Sequence, residues 1–328
     1  MKTIIHTVLA SVALWAISCV AYSQEVDFKI VDGASSAEIG VRVSTNVSKF
    51  LVEVNKAFAE NRRPDLSAIA ISDDAGEAFM MLWDNMPFHC SETEIVERLL
   101  TTYDGLQVRN VPIEAHTDSG EAYQELVIDM TPTGVIYRIN LAIKNNLYRQ
   151  IMRNGGEVTD LRHRQMILDY VEQFRTAYNR KDIDFLEKVF SEDALIITGK
   201  VVKVKKEDHS AVLKDNKQIV YTQLKKREYI ERLRTRVFPV AKYIRVDFSD
   251  IRVSKHPSID GYYGVMLKQG YQSSIYSDEG YLFMIWDFRD EANPQIHVRT
   301  WQPYWMDEGK KERLDEGKVF NINNFTIE

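Results

Sequence analysis

An α+β fold in two domains is the architecture this sequence predicts, and three observations predict it. The chain has 328 residues, about twice the length of an ordinary domain. Each half begins with apolar residues at helical spacing and ends in alternating runs that suit strands. Between the halves stands Gly155-Gly156, a turn signal that predicts the boundary. Residues 24–156 then form the first domain, residues 157–305 the second, and residues 306–328 a charged tail. Hydrophobic residues make up 45% and charged residues 27%, which excludes wholesale disorder and fibrous repeats. Lys and Arg number 42 against 48 Asp and Glu, a formal charge of −6, and that balance argues against a dedicated nucleic-acid binder.

Residues 1–23 read as a secretory signal peptide. Lys2 supplies the positive start, Val8 to Tyr22 an apolar run, and Ala21-Tyr22-Ser23 a cleavage site ahead of Gln24-Glu25. The expected location is therefore outside the cytoplasm, in a bacterial periplasm or at the cell surface. Two alternatives stand beside this. An uncleaved anchor would need a longer run than the one that Glu25 and Asp27 cut short. A lipoprotein would use Cys19, but Ala16 stands where Leu is favoured. Cleavage after Ser23 leaves Cys90 as the single thiol, so no disulfide is expected. Cys90 follows His89, which admits a Cys-His nucleophile, although a buried structural cysteine is the commoner case.

In the first domain, Val47, Phe50, Leu51, Val54 and Phe58 mark a helix over 41–63, closed by Pro64. Ser72 caps a second helix and Pro87 ends it. Ser91 with Glu94 has the form of a capping box and predicts a third helix through Ile95, Leu99 and Leu100. Strands follow over 106–114, 122–130 and 135–143, with Thr131-Pro132-Thr133-Gly134 as a turn, then a short helix over 145–153. The stretch Glu94-Ile-Val-Glu-Arg-Leu99 echoes Glu228-Tyr-Ile-Glu-Arg-Leu233, which raises the reading that the first domain is a diverged copy of the second. In the second domain, Ile167, Val171, Phe174 and Tyr178 stripe a helix over 159–178, and Asp182 caps a short successor. A strand over 194–204 and a helix over 225–237 precede four long strands, over 240–253, 262–276, 281–289 and 295–304.

Helix-ending Asn179-Arg180, then Asp182, then Phe190-Ser191-Glu192-Asp193-Ala194 running into a strand resembles the nuclear transport factor 2-like superfamily, which includes the SnoaL-like cyclases and ketosteroid isomerase. The resemblance spans 159–305 and implies a cone-shaped fold. A curved antiparallel sheet wraps a long helix and leaves a pocket at its open end. Ketosteroid isomerase works with an Asp base and an oxyanion hole of a Tyr and a protonated Asp. Aligned without gaps, Phe174 stands at the Tyr, Thr198 at the base and Met284 near the second acid. None of the three offers that chemistry, so the isomerase mechanism does not carry over.

Strand parity predicts what fills the cone instead. With Met284 inward, Leu282, Trp286 and Phe288 follow it, and Val298, Thr300 and Gln302 are assigned inward on the last strand. The ligand-binding candidates are therefore Phe174, Tyr178, Thr198, Met284, Trp286, Thr300 and Gln302. These side chains equally suit a filled core. Tyr281, Phe283 and Ile285 alternate with the inward set, so the outer face is apolar as well and something must cover it. Tyr281, Phe283, Ile285, His297, Arg299 and Trp301 are the interface candidates, against the first domain, the apolar tail 319–327 docked as a strand, or a second copy in a homodimer. An inverted last strand would instead turn His297, Arg299 and Trp301 into the pocket. A basic stretch from Lys200 to Arg236 is interleaved with Glu207, Asp208, Glu228 and Glu231 and reads as a solvated surface. The scattered His form no metal motif, and no glycine-rich phosphate or dinucleotide loop occurs, so no cofactor is expected.

The sequence thus predicts an exported, non-catalytic binding or assembly module whose partner is a small apolar ligand or a protein. The alternative is an isomerase, dehydratase or cyclase acting in the cone. Intact mass spectrometry of the secreted protein should give a chain beginning at Gln24. A chain acylated at Cys19, or one retaining Met1, would overturn the signal assignment.

Overall fold

The computed structural model describes residues 25–117, 120–153, 161–204 and 216–327. The signal segment, Cys19 and Gly155-Gly156 lie outside the described residues.

The first domain opens with strand β1 (Asp27–Asp32) and helix α1 (Ala37–Ala59). Ser36 caps α1 by accepting from Ile39 N–H, and Val43, Val47, Phe50, Leu51 and Val54 form its buried stripe. Helix α2 (Asp73–Asn85) is capped by Ser72 in the same way. Strands β2 (Phe88–His89), β3 (Glu94–Arg98) and β4 (Leu100–Thr101) are short, whereas β5 (Leu106–Thr117), β6 (Gly120–Met130) and β7 (Ile136–Leu141) form an antiparallel meander. The stripe of α1 packs with Val108, Val111, Ile128 and Leu141 of this sheet into one core. Helix α3 (Asn145–Arg153) follows.

The third helix expected after Ser91 is a strand. Residues Glu94–Arg98 pair in parallel with β1, with Phe28 opposite Ile95. Ile95 is buried while Val96 is 51% exposed, a period of two that the capping-box pattern concealed. Cys90 just before it is held by Asn55, whose side chain accepts from Cys90 N–H and donates to Cys90 O, at 2.7 and 2.9 Å. That clamp keeps the backbone extended where a helix would have to start. The echo between Glu94–Leu99 and Glu228–Leu233 therefore joins a strand to a helix, and it gives no support to a duplicated domain.

The second domain is built on helix α4 (Leu161–Arg180), followed by α5 (Ile183–Val189), capped by Asp182 as expected. Strands β8 (Phe190–Val204) and β9 (Asn216–Lys225), helix α6 (Lys226–Arg232), and strands β10 (Ile244–Lys255), β11 (Tyr262–Ser273), β12 (Ser277–Asp287) and β13 (Gln295–Pro303) complete it. One turn of π-helix, Leu233–Val237, extends α6. The six strands run in the order β10-β11-β12-β13-β8-β9. All neighbours are antiparallel except β13 and β8, so the sheet is mixed where a purely antiparallel one was expected. Strand β9 had not been expected. Ile167, Val171, Phe174 and Tyr178 of α4 pack against Leu282, Met284, Trp286 and Phe288 inside the curve.

Helix α4 is buried on its other side too. There Asp169, Glu172, Thr176 and Asn179 form a polar stripe at helical spacing. Glu172, wholly buried, accepts two bonds from Arg109 of β5, at 2.6 and 3.1 Å, and a third from Ile143 N–H at 2.8 Å. Thr176 Oγ1 accepts from Leu141 N–H at 3.0 Å, and Arg175 donates to Ala142 O at 2.6 Å. These contacts satisfy the free margin of β7. Arg175 also donates to Val246 O at 2.7 Å, and Asn179 accepts from Val246 N–H at 2.8 Å, which satisfies β10, an edge strand of the six-stranded sheet. One helix thus bonds to an edge of each of the two larger sheets. Asp169 lies in the same seam, near Arg138 and Asp129, and burial raises its carboxyl well above the ordinary range.

The outer face of the six-stranded sheet is covered by the tail. Ile322 packs on Tyr262, Phe283, Ile285 and Val298, with Phe320, Phe325 and Ile327 around it. Phe325 stacks on Phe283 with centroids 5.9 Å apart. Gln302 anchors the approach, donating to Lys318 O and accepting from Phe320 N–H at 3.0 and 2.7 Å. The tail docks as turns and coil, with 3-10 turns at Glu316–Lys318 and Ile322–Asn324, and not as the strand expected. Gly264 lies under it, where a Cβ would come within 3.2 Å of Ile322 and 3.0 Å of Phe283.

Replacing Arg109 by Met should cost about 3–5 kcal/mol, because it strands the buried Glu172 charge. The double variant Arg109→Met, Glu172→Met should recover most of that loss. Chemical denaturation of the three proteins checks both. Equal losses in the single and double variants would show that the pair contributes only as packing.

Candidate functional site at the rim of the cone

The deep part of the cone is filled. Phe174, Met284 and Trp286 are buried; the Phe174 ring packs edge-on to Tyr178 and Phe190, and the Trp286 ring stacks with Phe288. Thr198 is half-buried on the inward face of β8, in register with Trp301. Tyr178 is buried, and its hydroxyl meets that of Tyr229 on α6 in a very short hydrogen bond. Of the expected pocket residues, these five do face the interior.

Thr300 and Gln302 do not. In the β12–β13 pairing Met284 lies opposite Arg299, Leu282 opposite Trp301, and Phe283 opposite Thr300. Residues opposite one another share a face, so Arg299 and Trp301 point inward and Thr300 and Gln302 outward, beneath the tail. The expected parity of the last strand is inverted. A bulge between Ile285 and Trp286 explains why His297 nevertheless stays outside: register passes from Val298 straight to Ile296. His297 sits on the outer face, 3.4 Å from Asp287 and 3.9 Å from Asp193, with Tyr262 beside it. Tyr281, Phe283 and Ile285 are on that face too, Tyr281 against Tyr304 and the other two under the tail. The outer cluster is therefore packed within the chain. Cys90 is buried, and burial pushes its thiol up to about 11, which suits a structural cysteine rather than a nucleophile.

At the rim of the sheet a cavity of about 800 Å³ opens between the β11–β12 hairpin, the ends of β8 and β10, and the segment after β13. Phe248, Tyr271, Tyr276 and Trp301 give it aromatic walls. Asp278 also lines it, opposite Tyr271 in register. The Tyr276 hydroxyl donates to Asp278 Oδ2 at 2.7 Å. Desolvation pushes the Asp278 carboxyl up to about 6, against the opposing pull of that bond and of Arg299. One step deeper on the face of Trp301 lies Arg299, with its guanidinium 5.2 Å from the Tyr229 ring centroid. Around the cavity stand seven Lys and Arg against five Asp and Glu, so its field favours an anion.

Sequence reasoning missed Tyr229, Tyr271 and Asp278. The signal for Asp278 was present. Extending the inward series Met284, Leu282 by two steps passes Gly280 and reaches Asp278, but β12 had been started at Tyr281, four residues late.

Some solved structures are similar to this chain. Bd1075 of Bdellovibrio bacteriovorus is 14% identical, over 55% of this chain and 48% of that one, with a TM-score of 0.33. This chain thus spans less than half of that relative. An NTF2-like protein of Cytophaga hutchinsonii is 16% identical, over 43% of this chain and 97% of that one, with a TM-score of 0.32. Nuclear transport factor 2 of Cryptosporidium parvum is 8% identical, over 42% and 92%, with a TM-score of 0.30. Structures described as NTF2-like are thus among those similar to part of this chain. No family model matches the sequence, and no curated protein matches it.

Asp278 has a stated consequence for stability. Its folded value of about 6 lies above the ordinary ~3.9 of an unfolded Asp. Between those values the folded state holds a proton that the unfolded state has lost, so stability should fall as pH rises from about 4 to about 6. Asp278→Asn should flatten that part of the profile. Thermal midpoints of both proteins across the window test this, and an unchanged slope in the variant would refute it.

Proposed function

We propose that the protein is a non-catalytic binding module, exported from the cytoplasm, that holds a small ligand with a flat apolar body at the rim of its second domain. The observation that carries this reading is the contrast between a filled cone and the aromatic cavity beside it. Phe174 and Met284 close the depth of the cone, while Tyr271, Tyr276 and Trp301 line open space large enough for a small organic molecule. In this reading the outer face serves the chain's own tail, not a second copy. The neutral fluorescent probe N-phenyl-1-naphthylamine should bind the intact protein, and Trp301→Ala should weaken it about fivefold, the effect of one aromatic contact. No binding by the intact protein, or equal binding by the variant, would refute the proposal.

A second reading rests on Asp278. A carboxyl raised to about 6 at a cavity wall suits a general acid or base for an isomerase or dehydratase. Chemical conversion of a bound ligand that Asp278→Asn abolishes and Trp301→Ala merely slows would put that reading first.

A further inference from the structure

A second cavity, of about 300 Å³, opens in the first domain between β3, the middle of β5 and helix α3. Four arginines line it, Arg98, Arg109, Arg149 and Arg153, against one carboxylate, Glu97, in a chain whose net charge is −6. A bulge in β5 builds one wall. Val108 pairs with Ile128 and Val111 with Leu126, so Arg109 and Asn110 together oppose one residue of β6. Val108 and Val111 both stay in the core, and the two residues between them line the cavity. Asn110 takes a left-handed backbone there, with φ 59°, which Asn tolerates better than most residues. Two of the four charges are already answered. Arg109 is paired with Glu172 at 2.6 Å and Arg98 with Asp32 at 2.8 Å. Arg149 and Arg153 have no ion-pair partner among the described residues. They stand four apart on α3, a helix with no acidic residue, and like charges at that spacing cost stability. Glu97 is half-buried and accepts long bonds of 3.4 Å from Asn110. Burial pushes its carboxyl above the ordinary range, so it offsets the arginines least. The cavity therefore holds two guanidinium charges that no acidic partner among the described residues balances.

We infer that this cavity binds a phosphate group through Arg149 and Arg153. The site is separate from the rim cavity, with which it shares no lining residue, and it does not depend on the reading given there. A phosphate group carries about two negative charges and three acceptor oxygens, which matches two unbalanced guanidinia. Arginine forks pair with phosphate oxygens, and a guanidinium gives up its water more readily than an ammonium does. A carboxylate has one charge and would leave the second arginine as it stood. Bound phosphate would also turn the repulsion between Arg149 and Arg153 into a shared attraction. The volume stands at the lower end of small-ligand pockets, which suits a phosphate with a small organic substituent. A phospholipid headgroup presents the same chemistry.

Isothermal titration of the whole mature protein with inorganic phosphate and with glycerol 3-phosphate, in chloride buffer near neutral pH, tests this, with acetate as the singly charged comparison. Phosphate should bind at least about tenfold tighter than acetate, the typical gain from one further charge-assisted bond. Arg149→Gln and Arg153→Gln should each weaken phosphate binding by about the same factor, and the double variant should abolish it. Both side chains are exposed, and removing either relieves a like-charge contact, so the variants should melt no lower than the parent. Arg63→Gln, which removes an exposed arginine outside the cavity, should leave phosphate binding as it was. Co-sedimentation with phosphatidic acid vesicles separates the sources. Soluble phosphate binding assigns a small solute. Vesicle binding without it, lost in the double variant, assigns a lipid headgroup. Acetate binding as tightly as phosphate, binding that survives in the double variant, or no binding in either arm would overturn the inference.

Discussion

Helix α4 is buried on every side, and the rest of the structure depends on how its polar side chains are satisfied there. One stripe, Val171, Phe174 and Tyr178, is apolar and belongs to the cone. The opposite stripe, Asp169, Glu172, Thr176 and Asn179, would be ruinous in a core without partners. For Glu172, Thr176 and Asn179 the partners are backbone groups beside two sheets and the guanidinium of Arg109, while Asp169 is ion-paired with Arg138 at 3.5 Å. The first domain is thus the polar half of the environment that α4 requires. The seam is held by directional bonds, which fix register more strictly than apolar contact does. The filling of the cone and the placement of Tyr178 beneath the rim both inherit their accuracy from it.

How much of this the sequence revealed follows from which period each segment obeys. The long strands and helices of the second domain were legible because their apolar residues repeat at 2 or 3.6 over ten residues or more. Phe174 lies on the apolar stripe of its helix, Met284 and Trp286 were placed inside by period two once the family alignment had chosen the side, and an apolar outer row at Phe283 and Ile285 demanded a cover. Short or interrupted segments misled. The run after Ser91 carries a helix-start pattern over a strand of five residues, Glu94–Arg98, and its true partner, β1, lies more than sixty residues earlier. The parity of β13 was lost because it depends on a bulge, a two-against-one pairing that no residue on either strand announces. The parity of that strand decides whether Arg299 lies outside or inside the curve.

The chemistry of the rim follows from where the core stops. Inward-facing positions of the sheet continue to its rim, where the core gives way to the cavity. Side chains at those positions change from Leu282 and Met284 to Asp278 and Trp301 along the same face. Partial burial then does what full burial would not: it raises the Asp278 carboxyl while leaving it at the cavity wall. A pocket formed this way takes its aromatic wall from the sheet and is closed by the segment after β13.

The sealed margin of β10 bears on assembly. A sheet offers two borders to other chains, and here Arg175 and Asn179 have already occupied one of them at Val246. The other border is β9, which pairs with β8 alone among the described strands and displays Val220 and Tyr221 to solvent. Growth by strand addition from this sheet therefore has a single direction. Two molecules joined back to back at β9 would leave no further border to extend, so the contact closes on itself as a pair and cannot propagate into a filament.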